Sequence, residues 1–186
     1  DTNLDALAGE GRTTETVKGN AEAIAAHKAE TVSHAELTDR IITVGIDKDF
    51  TTIQGAIESI KKTNNANITV NVDAGTYPEE VYIKGFVGTG RITINGGTSL
   101  ATAVNYKVTS FLITRCGIFI NLIGFEGTST TAVPFDIYFG TAYTLQYCTV
   151  TASSSTVGGI CVTSAIASVL NCSVSNRLYV LTAQLG

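Results

Sequence analysis

Ile120-Asn121-Leu122-Ile123-Gly124-Phe125, Leu145-Gln146-Tyr147-Cys148-Thr149-Val150 and Val169-Leu170-Asn171-Cys172-Ser173-Val174 carry one apolar template, an aliphatic residue followed at +3 and +5 by two more apolar side chains. The copies are offset by 25 and then 24 residues. A unit of that length, repeating without helix signals, is what a parallel β-helix requires. Each coil covers the apolar edge of the next, and equivalent residues stack about 4.8 Å apart. A β-sandwich would instead call for hairpin turn signals about every 8 to 12 residues, and those are sparser here.

Upstream of the repeat, period-2 strands run through Ile68, Val70 and Val72, then Val81 and Ile83, then Ile92 and Ile94. Asp73-Ala74-Gly75, Gly85 and Gly96-Gly97 provide the turns between them. Before the first strand, Ile53, Ala56, Ile57 and Ile60 follow a 3, 4, 7 spacing. That spacing predicts a short amphipathic capping helix over about 49–62; with coils over about 66–186 it makes up a β-helix domain over 41–186. The fold class expected is mainly β, a right-handed parallel β-helix.

Residues 1–40 differ in character. The first 91 residues hold 23 of the 28 charged side chains, leaving Lys107, Arg115, Glu126, Asp136 and Arg177 for the last 95. From about Arg12 to Asp39 the chain is rich in Ala, Glu, Lys and Thr, which reads as a helical stem about 40 Å long. One heptad frame places Val17, Ile24, Thr31 and Thr38 at one seam position and Asn20, His27, His34 and Ile41 at the other. So polar a seam suits a trimer, in which Asn20, His27 and His34 are candidates to share water or an ion along the axis. A rival frame through Val17, Ala21, Ile24 and Lys28 fits nearly as well. In the plainer reading, both histidines are surface residues of a solvated helix.

Composition narrows the function classes. The net charge is −4, no segment clusters Lys and Arg, and no uncharged apolar run approaches the roughly 20 residues of a membrane span. Nucleic-acid binding and membrane insertion are therefore not expected. Cys116, Cys148, Cys161 and Cys172 form no C-x-x-C pair and have no His nearby in sequence, so they read as small apolar residues with free thiols, without a metal. No cofactor is expected. A chain with Asp at position 1 and no Met reads as a segment of a longer polypeptide.

Two resemblances add to this reading. Asp49-Phe50-Thr51-Thr52-Ile53-Gln54-Gly55-Ala56-Ile57, with Ile68-Thr69-Val70-Asn71-Val72-Asp73-Ala74-Gly75-Thr76-Tyr77-Pro78-Glu79-Glu80-Val81-Tyr82-Ile83, resembles the cap and first coil of pectinesterases and pectate-lyase-like β-helices. Asp136-Ile137-Tyr138-Phe139-Gly140-Thr141-Ala142, with Gln146 and Cys148, is similar to the pectinesterase strand that bears the nucleophilic Asp. Asp136 is thus the one catalytic candidate. The family's acid Asp, oxyanion Gln and substrate Arg motifs are not found, so no activity is expected from this resemblance alone. The other acids after Arg91 reduce to Glu126, whose ten-residue separation from Asp136 is not one coil, so a glycosidase pair is not expected.

The N-terminal segment from Asn3 to Ala21, with Ala25-Ala26-His27-Lys28-Ala29-Glu30, resembles the connector of tail-fibre and minor structural proteins of phages and prophages of Gram-positive bacteria. That resemblance implies a homotrimer in the virion, synthesised in the bacterial cytoplasm and extracellular when mature. Its partners would be other tail and baseplate proteins and the host cell-wall polysaccharide. The implied function is structural and receptor-binding; the alternative is a virion polysaccharide-modifying enzyme, a depolymerase or deacetylase. Tyr106, Tyr138, Tyr143, Tyr147 and Tyr179 are candidates for an exterior on which sugars could stack, Tyr138 and Tyr147 read equally well as packing residues, and none is named as a binding site.

Overall fold

The computed structural model describes residues 35–151, 159–174 and 178–181, together with position 24. The stem and its axial candidates Asn20, His27 and His34 lie outside the described residues. Backbone contacts separate 1–34 from a compact unit that begins at Ala35, earlier than the expected boundary at 41. The reason is local. Strand β1 (Ala35–Glu36) pairs in parallel with β3 (Thr63–Asn64), and Arg40 reaches back to Glu36 at 3.3 Å and to the Ser59 carbonyl at 2.9 Å.

The unit is a parallel β-solenoid of about five coils. Strands β2 (Arg40–Val44), β4 (Asn67–Val72), β6 (Arg91–Asn95) and β8 (Phe119–Ile123) stack in parallel, followed by the second halves of β10 (Phe135–Gln146) and β12 (Ile160–Leu170). This register aligns Ile42, Val70, Ile94, Leu122, Leu145 and Val169 in one column. A second stack joins β5 (Gly75–Lys84), β7 (Tyr106–Thr114), the first halves of β10 and β12, and β14 (Leu178–Leu181). Its inward columns are Val81, Phe111, Phe135 and Ile160, and Ile83, Ile113, Ile137 and Val162. A short third stack, β9 (Glu126–Gly127), β11 (Thr149–Val150) and β13 (Ser173–Val174), joins the second through β7.

β-branched residues at every second position give each strand one apolar face, and stacking buries it on the coil above and below. Phe111 is the aromatic centre, edge-on to Phe125 at 5.1 Å and stacked on Phe135 at 6.2 Å.

The corners account for the sequence template and correct its first copy. Ile120 stacks on Tyr143, Leu122 on Leu145 and Glu126 on Thr149, so the first copy is Leu122-x-x-Phe125-x-Gly127 rather than one starting at Ile120. The 24-residue step to the third copy holds, with Leu145 on Val169 and Val150 on Val174. Within each copy the two unspecified residues are an outward side chain and a left-handed corner: Gly124 (φ 72°), Tyr147 (φ 55°) and Asn171 (φ 51°). The corner interrupts the period-2 alternation, which is why the next inward residue comes after three positions rather than two.

Helix α1 (Ile53–Glu58) is shorter than the expected 49–62. Ile53, Ala56 and Ile57 are buried as the spacing predicts, but after Ser59 the chain is drawn into β3, where the Asn64 amide donates to Val87 at 2.7 Å. A second short helix, α2 (Leu100–Ala103), closed by a Ser99–Thr102 capping box, had no clear sequence signal. No helix among the described residues is long and apolar enough to cross a membrane.

Candidate functional site

On the outer face of the second stack, alternation turns every other side chain to solvent. Register aligns Tyr82, Leu112, Asp136 and Cys161 in one outward column and Lys84, Thr114, Tyr138 and Thr163 in the next. The strands then reach a second ladder of left-handed corners: Gly85 (φ 71°), Arg115 (φ 53°), Phe139 (φ 44°) and Ser164 (φ 50°). The Arg115 amide donates to the Phe139 carbonyl at 2.9 Å and to that of Tyr138 at 3.3 Å, linking the corners of successive coils.

Between these columns and corners lies an open groove of about 460 Å³, lined by Lys84, Gly85, Leu112, Thr114, Arg115, Tyr138 and Phe139. Tyr138 and Phe139 stand 6.3 Å apart with ring planes 28° from parallel. Phe139 is 53% exposed, although a bulky side chain at positive φ is disfavoured by roughly 1–2 kcal/mol. Neither Lys84 nor Arg115 forms an ion pair among the described residues.

Asp136 stands at the edge of this groove, two residues before Tyr138 and stacked between Leu112 and Cys161. Burial raises its carboxyl above the usual range, and its Oδ1 has no hydrogen-bond partner among the described residues. Hydrogen bonding to Asp136, together with burial, pushes the Tyr138 phenol up to about 12. Glu126 lies in a different strand stack, on β9, buried, with Lys107 at 3.7 Å and the Thr151 hydroxyl donating to it. The structure therefore assigns the two carboxylates to separate environments.

Of the tyrosines expected outside, Tyr138 alone lines the groove. Tyr143 is a correction: it is 2% exposed, and its hydroxyl accepts from the Cys116 amide at 3.1 Å and donates to the Cys116 carbonyl at 3.3 Å. The bulge between Gly140 and Tyr143 shifts the alternation and turns this ring inward. Tyr106 packs edge-on against Phe125 at 6.4 Å, Tyr147 occupies a corner, and the Tyr179 side chain is outside the described residues. Lys84, Arg115 and Phe139 were not singled out from the sequence. Lys84 was accessible as the outward partner of Ile83, but the corners that place Arg115 and Phe139 were not.

A second cavity, of about 480 Å³, lies at the cap between residues 45–52 and 73–79. Its carboxylates are engaged in structure: Asp73 with Lys48 at 3.6 Å, and Glu79 with the α1 amides of Ile53 and Gln54 at 2.8 and 2.9 Å. Among the described residues no group of three or more His, Cys, Asp or Glu could hold a metal ion, and all four cysteines are free. Comparison with protein-family models, curated proteins and solved structures produced no match to the chain.

Proposed function

We propose that this chain is a structural, receptor-binding component of a phage tail that recognises host cell-surface glycans through the groove on the second sheet. What supports the binding role is the Tyr138/Phe139 pair, an exposed aromatic platform on a rigid parallel sheet beside polar groups. Phe139 occupies a conformation that a small residue would take more easily, and unfavourable backbone positions are retained most often where a side chain has work to do. The phage setting rests on the N-terminal resemblance. In this reading the stem is a trimeric coiled coil, the solenoid is a right-handed, pectin-lyase-like β-helix, and the mature protein is found in the virion.

The test is a glycan-binding screen of the chain and two variants, Tyr138→Ala and Phe139→Asn, with thermal melting as a folding control. Asn tolerates the left-handed corner, so Phe139→Asn should melt no lower than the parent while its sugar binding falls at least about tenfold. Sugar binding that is unchanged in both variants would overturn the groove as the binding site.

A second reading, a polysaccharide-modifying enzyme, is favoured by one observation: Asp136, with its raised carboxyl, stands beside the same groove. Turnover of an esterified glycan that disappears in Asp136→Asn would establish it.

A further inference from the structure

We infer that the groove selects glycans carrying a negative charge, held by Arg115 and Lys84 while a sugar face stacks on Tyr138 and Phe139. The inference rests on the glycan-binding reading and adds to it the chemical class of the ligand. The last 95 residues carry only five charges, yet Arg115 lines this groove together with Lys84, and no carboxylate lines it. Both cations are exposed and, among the described residues, without an ion-pair partner. Lys62 adds positive charge at the same end, donating to the Lys84 carbonyl at 3.0 Å.

A neutral sugar would leave these cations unused, whereas a carboxylate or phosphate accepts charge-assisted hydrogen bonds from both. The Arg115 amide is tied to the coil beyond through the Tyr138 and Phe139 carbonyls, so the backbone bearing the guanidinium is fixed relative to the aromatic platform. Asp136, half-buried in the adjoining column, forms no ion pair with either cation among the described residues.

The test uses a glucuronic acid tetramer, the glucose tetramer of the same linkage, and that glucose tetramer carrying phosphate, measured by titration calorimetry at low and high salt. At least one anionic tetramer should bind about tenfold or more tighter than the neutral one. The preference should shrink as salt screens the exposed charges, and the Lys84→Gln/Arg115→Gln double variant should reduce anionic affinity to the neutral level with unchanged melting. The tighter of the two anionic probes identifies the acid group, and either one supports the inference. Neutral binding equal to or tighter than anionic binding would overturn the charge selection and leave the groove reading intact. Binding of none of the three, with the glycan screen also negative, would overturn both.

Discussion

Two glycines with nearly the same backbone angle have opposite surroundings. Gly124 (φ 72°) sits so close to the preceding coil that a Cβ would fall 1.7 Å from the Gly97 carbonyl oxygen, whereas a Cβ on Gly85 (φ 71°) would meet nothing within 4 Å. Gly124→Ala should therefore lower unfolding stability by more than about 2 kcal/mol, and Gly85→Ala by only about 1 kcal/mol, as read by urea denaturation. Asp136 offers a pH prediction at the same scale. Burial raises its carboxyl above the ordinary 3.8, so between that value and the folded one the native chain holds a proton that the unfolded chain has released. Its contribution to stability is greatest below that window and falls as pH rises through it. Asp136→Asn should be at least as stable as the parent at neutral pH. The parent's gain on mild acidification, relative to the variant, should be absent if the carboxyl is not in fact buried.

Elements are held by partners distant in sequence. Helix α1 has six residues, too few to persist in water alone, and it is stabilised by three buried apolar side chains and by Glu79, whose two carboxylate oxygens accept from successive amides at its start. Glu79→Ala should cost about 1–2 kcal/mol, and Glu79→Gln less because one acceptor remains, in equilibrium denaturation. The apolar spacing of this helix was readable in Ile53, Ala56, Ile57 and Ile60. Its length was not, because what ends it is Asn64 pairing with Val87, more than twenty positions away. Strand β10 teaches the same lesson: its apolar pattern reads as strand throughout, but a bulge between Gly140 and Tyr143 lets one strand serve two stacks and turns Tyr143 from the surface into the core.

At the scale of the whole solenoid unit, each coil touches mainly its neighbours, so a charge placed in one ladder is felt by the stack. Cys148 is fully buried, and Cys148→Asp should unfold the later coils or prevent soluble expression; a folded, soluble variant would mean that the Leu145-x-x-Cys148 column points outward. The trimer proposed above predicts a light-scattering mass three times the 19.5 kDa chain. Removing residues 1–34, which leaves β1 and Arg40 in place, should weaken that assembly if the stem sets the register, whereas an unchanged mass would transfer trimerisation to the solenoid.

The sequence by itself determined the class of fold: an apolar template recurring about every two dozen residues with β-branched alternation has few ways to bury its apolar edges except by stacking coils. It also determined which strand residues face inward wherever period 2 runs unbroken, as in Ile68, Val70, Ile92 and Ile94. Tertiary structure alone decided the register between the first two copies, the boundary at Ala35 and the groove. The boundary depends on β1 pairing with β3, the register and the groove on corners and bulges that interrupt the alternation, and the left-handed corner residues Arg115, Phe139 and Tyr147 carry no local signal for that conformation. Only the neighbouring coil, by accepting and donating the corner hydrogen bonds, selects it.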